Sequence, residues 1–195
     1  MNVEVRELPL FPLNSVLFPG GPLPLRIFEP RYLDMISRCL REHSGFAVVL
    51  IGEGSEEQAA TSFAATGTEA RIVDFDPLEG GLLGISCIGC ERVRVVEAWR
   101  EADGLNRGRV LDIGADPVVP LPPEQSWLAD IVRQVMPEAG DTYRHVEIRD
   151  DAAWIGNRLA EMLPLSLADK QILLELTDPI ERLAALEPVV TRDRE

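Results

Sequence analysis

Two cysteines separated by two residues, Cys87 and Cys90, are the residues whose type and spacing could most directly support chemistry. Such a pair can supply half of a structural zinc site or act as a thiol–disulfide couple. A zinc site normally needs four ligands, and only Cys39, His43 and His145 could complete this one, through the fold. A redox pair favours the start of a helix, whereas this pair falls along a predicted strand, where it points to opposite faces unless a bulge intervenes. The pattern favours simple packing, with a metal- or redox-dependent sensor or enzyme using Cys87 and Cys90 as the alternative.

The sequence lacks the other common arrangements of catalytic residues. Nucleophilic catalysis needs a nucleophile with a base in reach, and the chain has two histidines and no Gly-x-Ser-x-Gly turn. A phosphate-binding loop places a lysine between glycine and Ser or Thr, whereas the single lysine, Lys170, lies between Asp169 and Gln171. We therefore expect no enzymatic activity and no bound cofactor.

The acidic composition limits the partners that the chain can have. The sequence carries 33 acidic and 19 basic side chains, a formal net charge of −14. Such a charge repels nucleic-acid backbones. No apolar run approaches the roughly 18 residues that a membrane-spanning helix needs. The three cysteines, a small and odd number, fit a reducing compartment. We therefore expect a cytoplasmic protein whose partners are other proteins, with no nucleic acid and no membrane among them.

The first part of the chain has the pattern of a curled β-sheet. Residues 8–28 read as short extended pieces interrupted by prolines, which suit edge strands or strands on a barrel rim because proline lacks a backbone N–H. Pro30 then begins a helix whose apolar face includes Met35 and Ile36. Short apolar or alternating segments follow, and they predict a closed or strongly curled antiparallel sheet. These segments are residues 46–51, 68–75, 82–88, 92–99 and 108–113.

The second part of the chain has a helical pattern. Four prolines within residues 116–123 predict a stiff connector. Beyond it, apolar residues recur at helical spacing, and Pro164, Ser166 and Asp178 mark helix ends and starts. The sequence therefore predicts an α+β protein with a β-rich lobe over residues 1–115, a connector over 116–123 and a helical lobe over 124–190.

Residues 8–32 carry the most specific motif in the chain. They begin Leu-Pro-Leu-Phe-Pro, pass through a Pro-Gly-Gly-Pro turn and end Leu-Arg-Ile-Phe-Glu-Pro-Arg-Tyr. This stretch resembles the opening signature of the Lon protease amino-terminal (substrate-binding) domain family. The strand Gly-Thr-Glu-Ala at residues 67–70, the strand Gly-Cys-Glu-Arg-Val-Arg-Val at residues 89–95 and the helices at residues 163–183 resemble later parts of that family, in order. The resemblance extends over nearly the whole chain.

This resemblance implies a fold of two lobes, an N-terminal PUA-like β pseudo-barrel lobe and a C-terminal helical lobe. In full Lon this region recognises protein substrates while separate domains hydrolyse ATP and cleave peptides. The chain is therefore expected to be a free-standing, non-catalytic module without ATPase or protease activity. It is expected to bind unfolded or apolar protein segments, or to act as an adaptor for a protease or chaperone. The expected surface is a groove of the β lobe or the seam between the lobes.

The signature also suggests which side chains pack and which bind. Its large apolar side chains are expected in the core: Phe11, Phe18, Ile27, Phe28 and Tyr32. Glu29 and Arg31 are expected to bridge the lobes by an ion pair or to contact a partner protein. Trp99, near a predicted strand end, is either a core residue or an exposed aromatic anchor for a partner.

Overall fold

The computed structural model describes residues 5–52 and 62–192, which form six β-strands and five α-helices. The strands are β1 (Val5–Leu13), β2 (Pro22–Ile27), β3 (Phe46–Leu50), β4 (Thr66–Pro77), β5 (Leu83–Arg100) and β6 (Asn106–Asp112). The helices are α1 (Pro30–Glu42), α2 (Ser126–Val135), α3 (Ala152–Met162), α4 (Leu167–Glu175) and α5 (Pro179–Arg192). One helix interrupts the strands and four follow them, so the chain has the predicted α+β architecture.

The six strands form one closed, mixed sheet. Their order is β2-β5-β4-β3-β1-β6, and β6 also pairs with β5, which closes five strands into a barrel and leaves β2 at an edge. The pair β1–β3 is parallel and the others are antiparallel, where the sequence predicts antiparallel pairs throughout. The chain reaches β3 from β1 through β2 and α1, and this long crossover permits the parallel pairing.

Strand β5 is one strand of 18 residues, where the sequence predicts two strands over residues 82–88 and 92–99. Gly89 lies in the predicted gap. Its N–H donates to the Gly21 carbonyl at 2.9 Å, and its own carbonyl accepts from the Gly20 N–H at 2.7 Å. A Cβ at Gly89 would collide with the Phe18 carbonyl. The glycine therefore lets a turn cross the strand at close range and does not end it.

The prolines of β2 lie where an edge strand tolerates them. The Gly21 carbonyl faces β5, because it accepts from Gly89. Backbone groups alternate along an antiparallel strand, so Pro22 and Pro24 turn their missing N–H groups toward the free edge. Strand β1 is different, because it lies between β3 and β6 and is no edge strand. Its Pro12 lies beyond the last residue of β1 that pairs with β6, which is Leu10.

Two large apolar cores fill the molecule. In the first, Met35, Ile36 and Cys39 of α1 pack against Phe46 of β3 and other strand side chains, so this core lies between α1 and the sheet. The second core is built by α2, α3, α4 and α5, and it also takes in Val16 and Phe18 from the segment between β1 and β2. The last strand precedes residues 116–123 and α2 follows them, while the helical core takes in side chains from both sides of this segment.

A buried ionic network joins the barrel to the helices. Arg92 of β5 and Arg182 of α5 both form ion pairs with Asp116, the latter at 2.7 Å, and all three side chains are at most 6% exposed. Arg92 also donates to the Leu174 carbonyl at 3.0 Å, and Arg182 donates to the Leu173 carbonyl at 3.0 Å. The two arginines thus satisfy carbonyls at the C-terminal end of α4, which have no partner within their own helix.

A second interlobe contact holds the turn between β1 and β2. The Arg158 side chain of α3 is fully buried, and its Nη2 donates to the Pro19 carbonyl at 3.0 Å. The same atom lies 3.1 Å from the Glu161 carboxylate, which also accepts from the Tyr143 hydroxyl. Burial raises the pKa of Glu161 and lowers that of Arg158. The turn and the helical lobe therefore pack as one unit.

Candidate functional site

The β lobe carries an open groove of about 500 Å³, which we call the β-lobe groove. Its apolar lining includes Phe11, Leu25, Ile27, Phe28, Tyr32 and Ile51, and its charged lining consists of Arg26, Glu29, Arg31 and Arg100. The groove therefore offers an apolar surface of the size of a few side chains, with charged groups at its border.

Phe28 is the most exposed large apolar side chain of the groove, at 67%. Its apolar character predicts a place in the core, and this prediction is wrong. Ile27, the last residue of β2, is 2% exposed. Successive strand side chains point to opposite faces, so a buried Ile27 leaves Phe28 on the outside. The alternation of strand side chains between the two faces predicts this exposure, whereas the apolar character of Phe28 by itself does not.

The backbone fixes Glu29 and Arg31 on either side of the first residue of α1. Glu29 is extended, as the residue before a proline must be, and its side chain makes no capping bond to the helix. Its carboxylate instead lies 2.7 Å from Arg31 Nη2. The two residues therefore pair with each other at the groove, within the β lobe, and this ion pair does not bridge the lobes.

Stacked side chains support the floor of the groove. The Phe11 and Tyr32 rings stack with centroids 4.1 Å apart, and the Arg31 guanidinium lies 4.8 Å from the Tyr32 centroid. Burial raises the pKa of the Tyr32 hydroxyl, and the nearby Arg31 charge partly offsets this effect. These contacts hold the arginine and the two rings in fixed relative positions.

Two arginines meet at one carbonyl at the groove border. Arg31 Nη1 donates to the Gly104 carbonyl at 3.0 Å, and Arg100 Nε donates to the same oxygen at 3.2 Å. Gly104 has a φ of +86°, which the tight turn between β5 and β6 requires and which glycine adopts readily. Arg100 was not singled out from the sequence, because only the β5–β6 turn brings it beside α1.

Trp99 is half-buried on β5, opposite Arg107 of β6. It does not line the β-lobe groove, although its neighbour Arg100 does. The structure therefore brings Glu29 and Arg31 together at the groove and leaves Trp99 outside its lining. A binding role for each of the three remains a prediction.

The cysteines lie in packed surroundings. Cys39 and Cys87 are buried in the core between α1 and the sheet, and Cys90 is half-buried. Burial raises the pKa of all three thiols, that of Cys87 to about 12, so they are protonated at neutral pH. Across residues 5–52 and 62–192, no group of three or more His, Cys, Asp or Glu side chains could hold a metal ion. These surroundings disfavour thiolate chemistry.

A second cavity, of about 460 Å³, lies in the seam between the lobes. Arg71 and Cys90 line it from the strands, and Arg149, Trp154 and Asn157 line it from the helical side. The Trp154 Nε1 and Asn157 Oδ1 atoms are buried without a hydrogen-bond partner among the described residues. The seam cavity therefore has charged side chains of both signs in its lining, together with two unpaired buried polar atoms.

In the residues that the structure describes, no helix combines the length and the apolar character needed to cross a membrane.

Comparison with known proteins gives a consistent result. Residues 7–192 match the family described as ATP-dependent protease La (LON) substrate-binding domain. Lon protease 1 from Sorangium cellulosum (strain So ce56) is 30% identical over 199 residues, which cover 94% of this chain and 24% of that protein. Protein cereblon from Danio rerio is 30% identical over 111 residues, which cover 55% of this chain and 25% of that protein. The chain spans about a quarter of the length of the curated relatives it matches.

Two solved structures share the fold. The crystal structure of a Lon N-terminal domain protein from Xanthomonas campestris has a TM-score of 0.77 and 40% identity, and the match covers 94% of this chain and 98% of that one. The N-terminal domain of Mycobacterium avium complex Lon protease has a TM-score of 0.61 at 16% identity, over 93% of this chain and 96% of that one, which supports the fold alone. The α+β architecture implied by the resemblance is confirmed.

Proposed function

The chain belongs to the family of Lon substrate-binding domains, and on this premise we propose that it is a non-catalytic module that recognises other proteins. In this proposal, unfolded or apolar segments of those proteins bind in the β-lobe groove. The groove supplies apolar contact area, and the charged side chains at its border orient the segment.

The exposure of Phe28 carries this proposal. An aromatic side chain that is 67% exposed and lines a preformed apolar groove leaves contact area available to a partner. Covering a phenylalanine side chain completely is worth about 1.5–3 kcal/mol. Phe28 also has a fixed backbone position between β2 and α1, so little conformational freedom is lost when a segment covers it.

In this proposal the bound segment contacts the groove through its side chains and does not add a strand to the edge of the sheet. The free edge of β2 borders the groove, but Pro22 and Pro24 remove two of the N–H groups that an added strand would need. The seam cavity is a weaker candidate for an apolar segment, because its large aromatic side chain, Trp154, is only 6% exposed and offers little free contact area.

The same surface would serve an adaptor that docks onto a protease or chaperone. Affinity capture with the purified chain separates the two roles, since a substrate-recognition module retains many apolar-rich proteins and an adaptor retains one stoichiometric partner. We propose proteins as the partners because the net charge of −14 disfavours nucleic acid. We propose a cytoplasmic location because the three cysteines are free thiols.

The proposal is tested by measuring the binding of a fluorescent, permanently unfolded peptide rich in leucine and phenylalanine. Changing Phe28→Ser is expected to raise the Kd about tenfold, which corresponds to about 1.4 kcal/mol of lost contact. The fold should remain, because Phe28 is exposed.

Ile172→Ser is the matched control, since Ile172 is a 60% exposed apolar side chain on α4 that does not line the groove. It should leave the Kd unchanged. Equal affinity for the wild-type chain and the Phe28 variant would show that the segment does not bind in the groove. Absence of any binding to the wild-type chain would contradict the proposed function.

A further inference from the structure

The charge of the β-lobe groove is opposite in sign to that of the chain. Three arginines, Arg26, Arg31 and Arg100, line the groove beside one carboxylate, Glu29. The chain as a whole has a net charge of −14. A local excess of positive charge on an acidic protein creates a field that attracts anionic groups to that place.

These arginines have hydrogen-bonding capacity that the protein leaves unused. Among the described residues, the Arg26 guanidinium has no hydrogen-bond or ion-pair partner. Arg31 Nε is buried without a hydrogen-bond partner among those residues. Arg31 and Arg100 share one carbonyl oxygen, that of Gly104, and a guanidinium carries five N–H donors. Glu29 neutralises one of the three charges, at 2.7 Å from Arg31.

We propose that the β-lobe groove selects protein segments in which an Asp or Glu side chain lies beside apolar residues, an inference that rests on the proposed function and specifies its substrate class. The apolar residue covers Phe28, and the carboxylate binds at Arg100 and Arg26. A carboxylate matches the guanidinium in charge and geometry and can accept two parallel hydrogen bonds from it.

The occupant is a polypeptide because the anionic and apolar features lie together in one groove. A nucleic-acid backbone would meet the repulsion of an acidic protein and would leave the apolar lining uncovered. Asp and Glu side chains are the source of the anionic group, because the internal carboxylates of a segment outnumber its single C-terminal carboxylate.

The test compares four fluorescent peptides that share one Phe- and Leu-containing core. Three have both ends blocked and differ in one flanking residue, which is Glu, Gln or Lys. The fourth carries Gln and a free C-terminal carboxylate. The Glu peptide is expected to bind about three- to tenfold more tightly than the Gln peptide, and the Lys peptide more weakly than either. High salt should reduce the advantage of Glu over Gln, because the site is open to solvent.

The double variant Arg26→Gln/Arg100→Gln should remove the preference for Glu, so that the Glu and Gln peptides bind it with equal affinity. Arg133→Gln is the control, because Arg133 is an exposed arginine of α2 that does not line the groove. It should keep the preference.

Each result has a distinct meaning. Equal affinity for the Glu, Gln and Lys peptides would overturn the charge selectivity and leave the proposed function intact. Absence of binding by all four peptides would overturn both. A free C-terminal carboxylate that binds as tightly as the Glu side chain, or tighter, would overturn the assignment to side chains.

Discussion

Replacing Asp116 with asparagine should destabilise the protein strongly, because it removes a buried charge that two buried arginines share. The Asp116 side chain is 6% exposed, and those of Arg92 and Arg182 are 2% and 1% exposed. Asparagine keeps the size of the side chain and one oxygen. Its NH₂ group, however, faces a guanidinium, so that two donors meet where a donor and an acceptor were paired.

The size of the loss in unfolding free energy follows from the charges that remain buried in the variant. Both guanidinium charges stay in the interior without a compensating carboxylate, although their bonds to the α4 carbonyls persist. Removing one partner of a buried ion pair costs about 3–5 kcal/mol. For a chain of 195 residues this corresponds to a fall in Tm of about 6–20 °C.

Urea unfolding followed by tryptophan fluorescence and by far-UV circular dichroism measures this loss. The control is Asp130→Asn, a substitution of the same kind at a side chain that is 76% exposed and pairs with Arg133 at 3.1 Å. An exposed pair contributes about 0–1 kcal/mol, so the control should stay near the wild-type value. If Asp116→Asn lost no more free energy of unfolding than Asp130→Asn, the network could not be what joins the lobes.

Two further predictions concern buried groups of the barrel. Burial raises the pKa of Cys87 to about 12, so above the unfolded value of 9.0 the unfolded chain loses a proton that the folded chain keeps. The free energy of unfolding should therefore fall as the pH rises from 9 to 12, by up to about 1.4 kcal/mol per pH unit from this thiol. Urea titrations at several pH values measure this slope, and Cys87→Ala should flatten it. An unchanged slope in the variant would show that the Cys87 thiol is not its source. Thr68 Oγ1 donates to the Leu17 carbonyl at 2.6 Å in the interior, so Thr68→Val should cost about 1–3 kcal/mol of unfolding free energy by leaving that carbonyl unpaired. Thr191→Val, at an exposed threonine that donates to its own helix at 2.8 Å, should cost much less, and equal losses would contradict this account of Thr68.

Local signals made the first helix predictable from the sequence. Pro30 begins α1 as its position predicts, and Met35, Ile36 and Cys39 from the predicted apolar face are buried. Ser166 caps α4 by accepting from the Asp169 N–H, as its place before the apolar run indicates. Each of these features depends on residues within one or two helical turns, so the sequence pattern contains the information.

Strand pairing was harder to predict because it joins distant parts of the chain. The parallel pair β1–β3 depends on the crossover through α1, and the closure of the barrel depends on β6 meeting both β1 and β5. Gly89 looks like a break in a strand when it is read alone. Its role is visible only with the turn at Gly20 that packs on it.

In the candidate site, too, individual residues were easier to predict than the contacts between them. The sequence pattern singled out Glu29 and Arg31, but it did not predict that they pair with each other instead of bridging the lobes. Arg100 reaches the same carbonyl as Arg31 only through the turn at Gly104, and no local pattern links residues so far apart. Phe28 was misplaced because its apolar character outweighed the strand alternation that puts it on the outside.

Hydrogen exchange of the wild-type chain, with and without a saturating unfolded peptide that carries phenylalanine and glutamate, tests the central proposal most directly. If segments bind in the β-lobe groove, backbone amides at residues 27–32 and around residues 100–104 gain protection, while those that border the seam cavity are unchanged. Protection confined to the seam, at residues 88–91 and 145–154, would contradict binding in the groove.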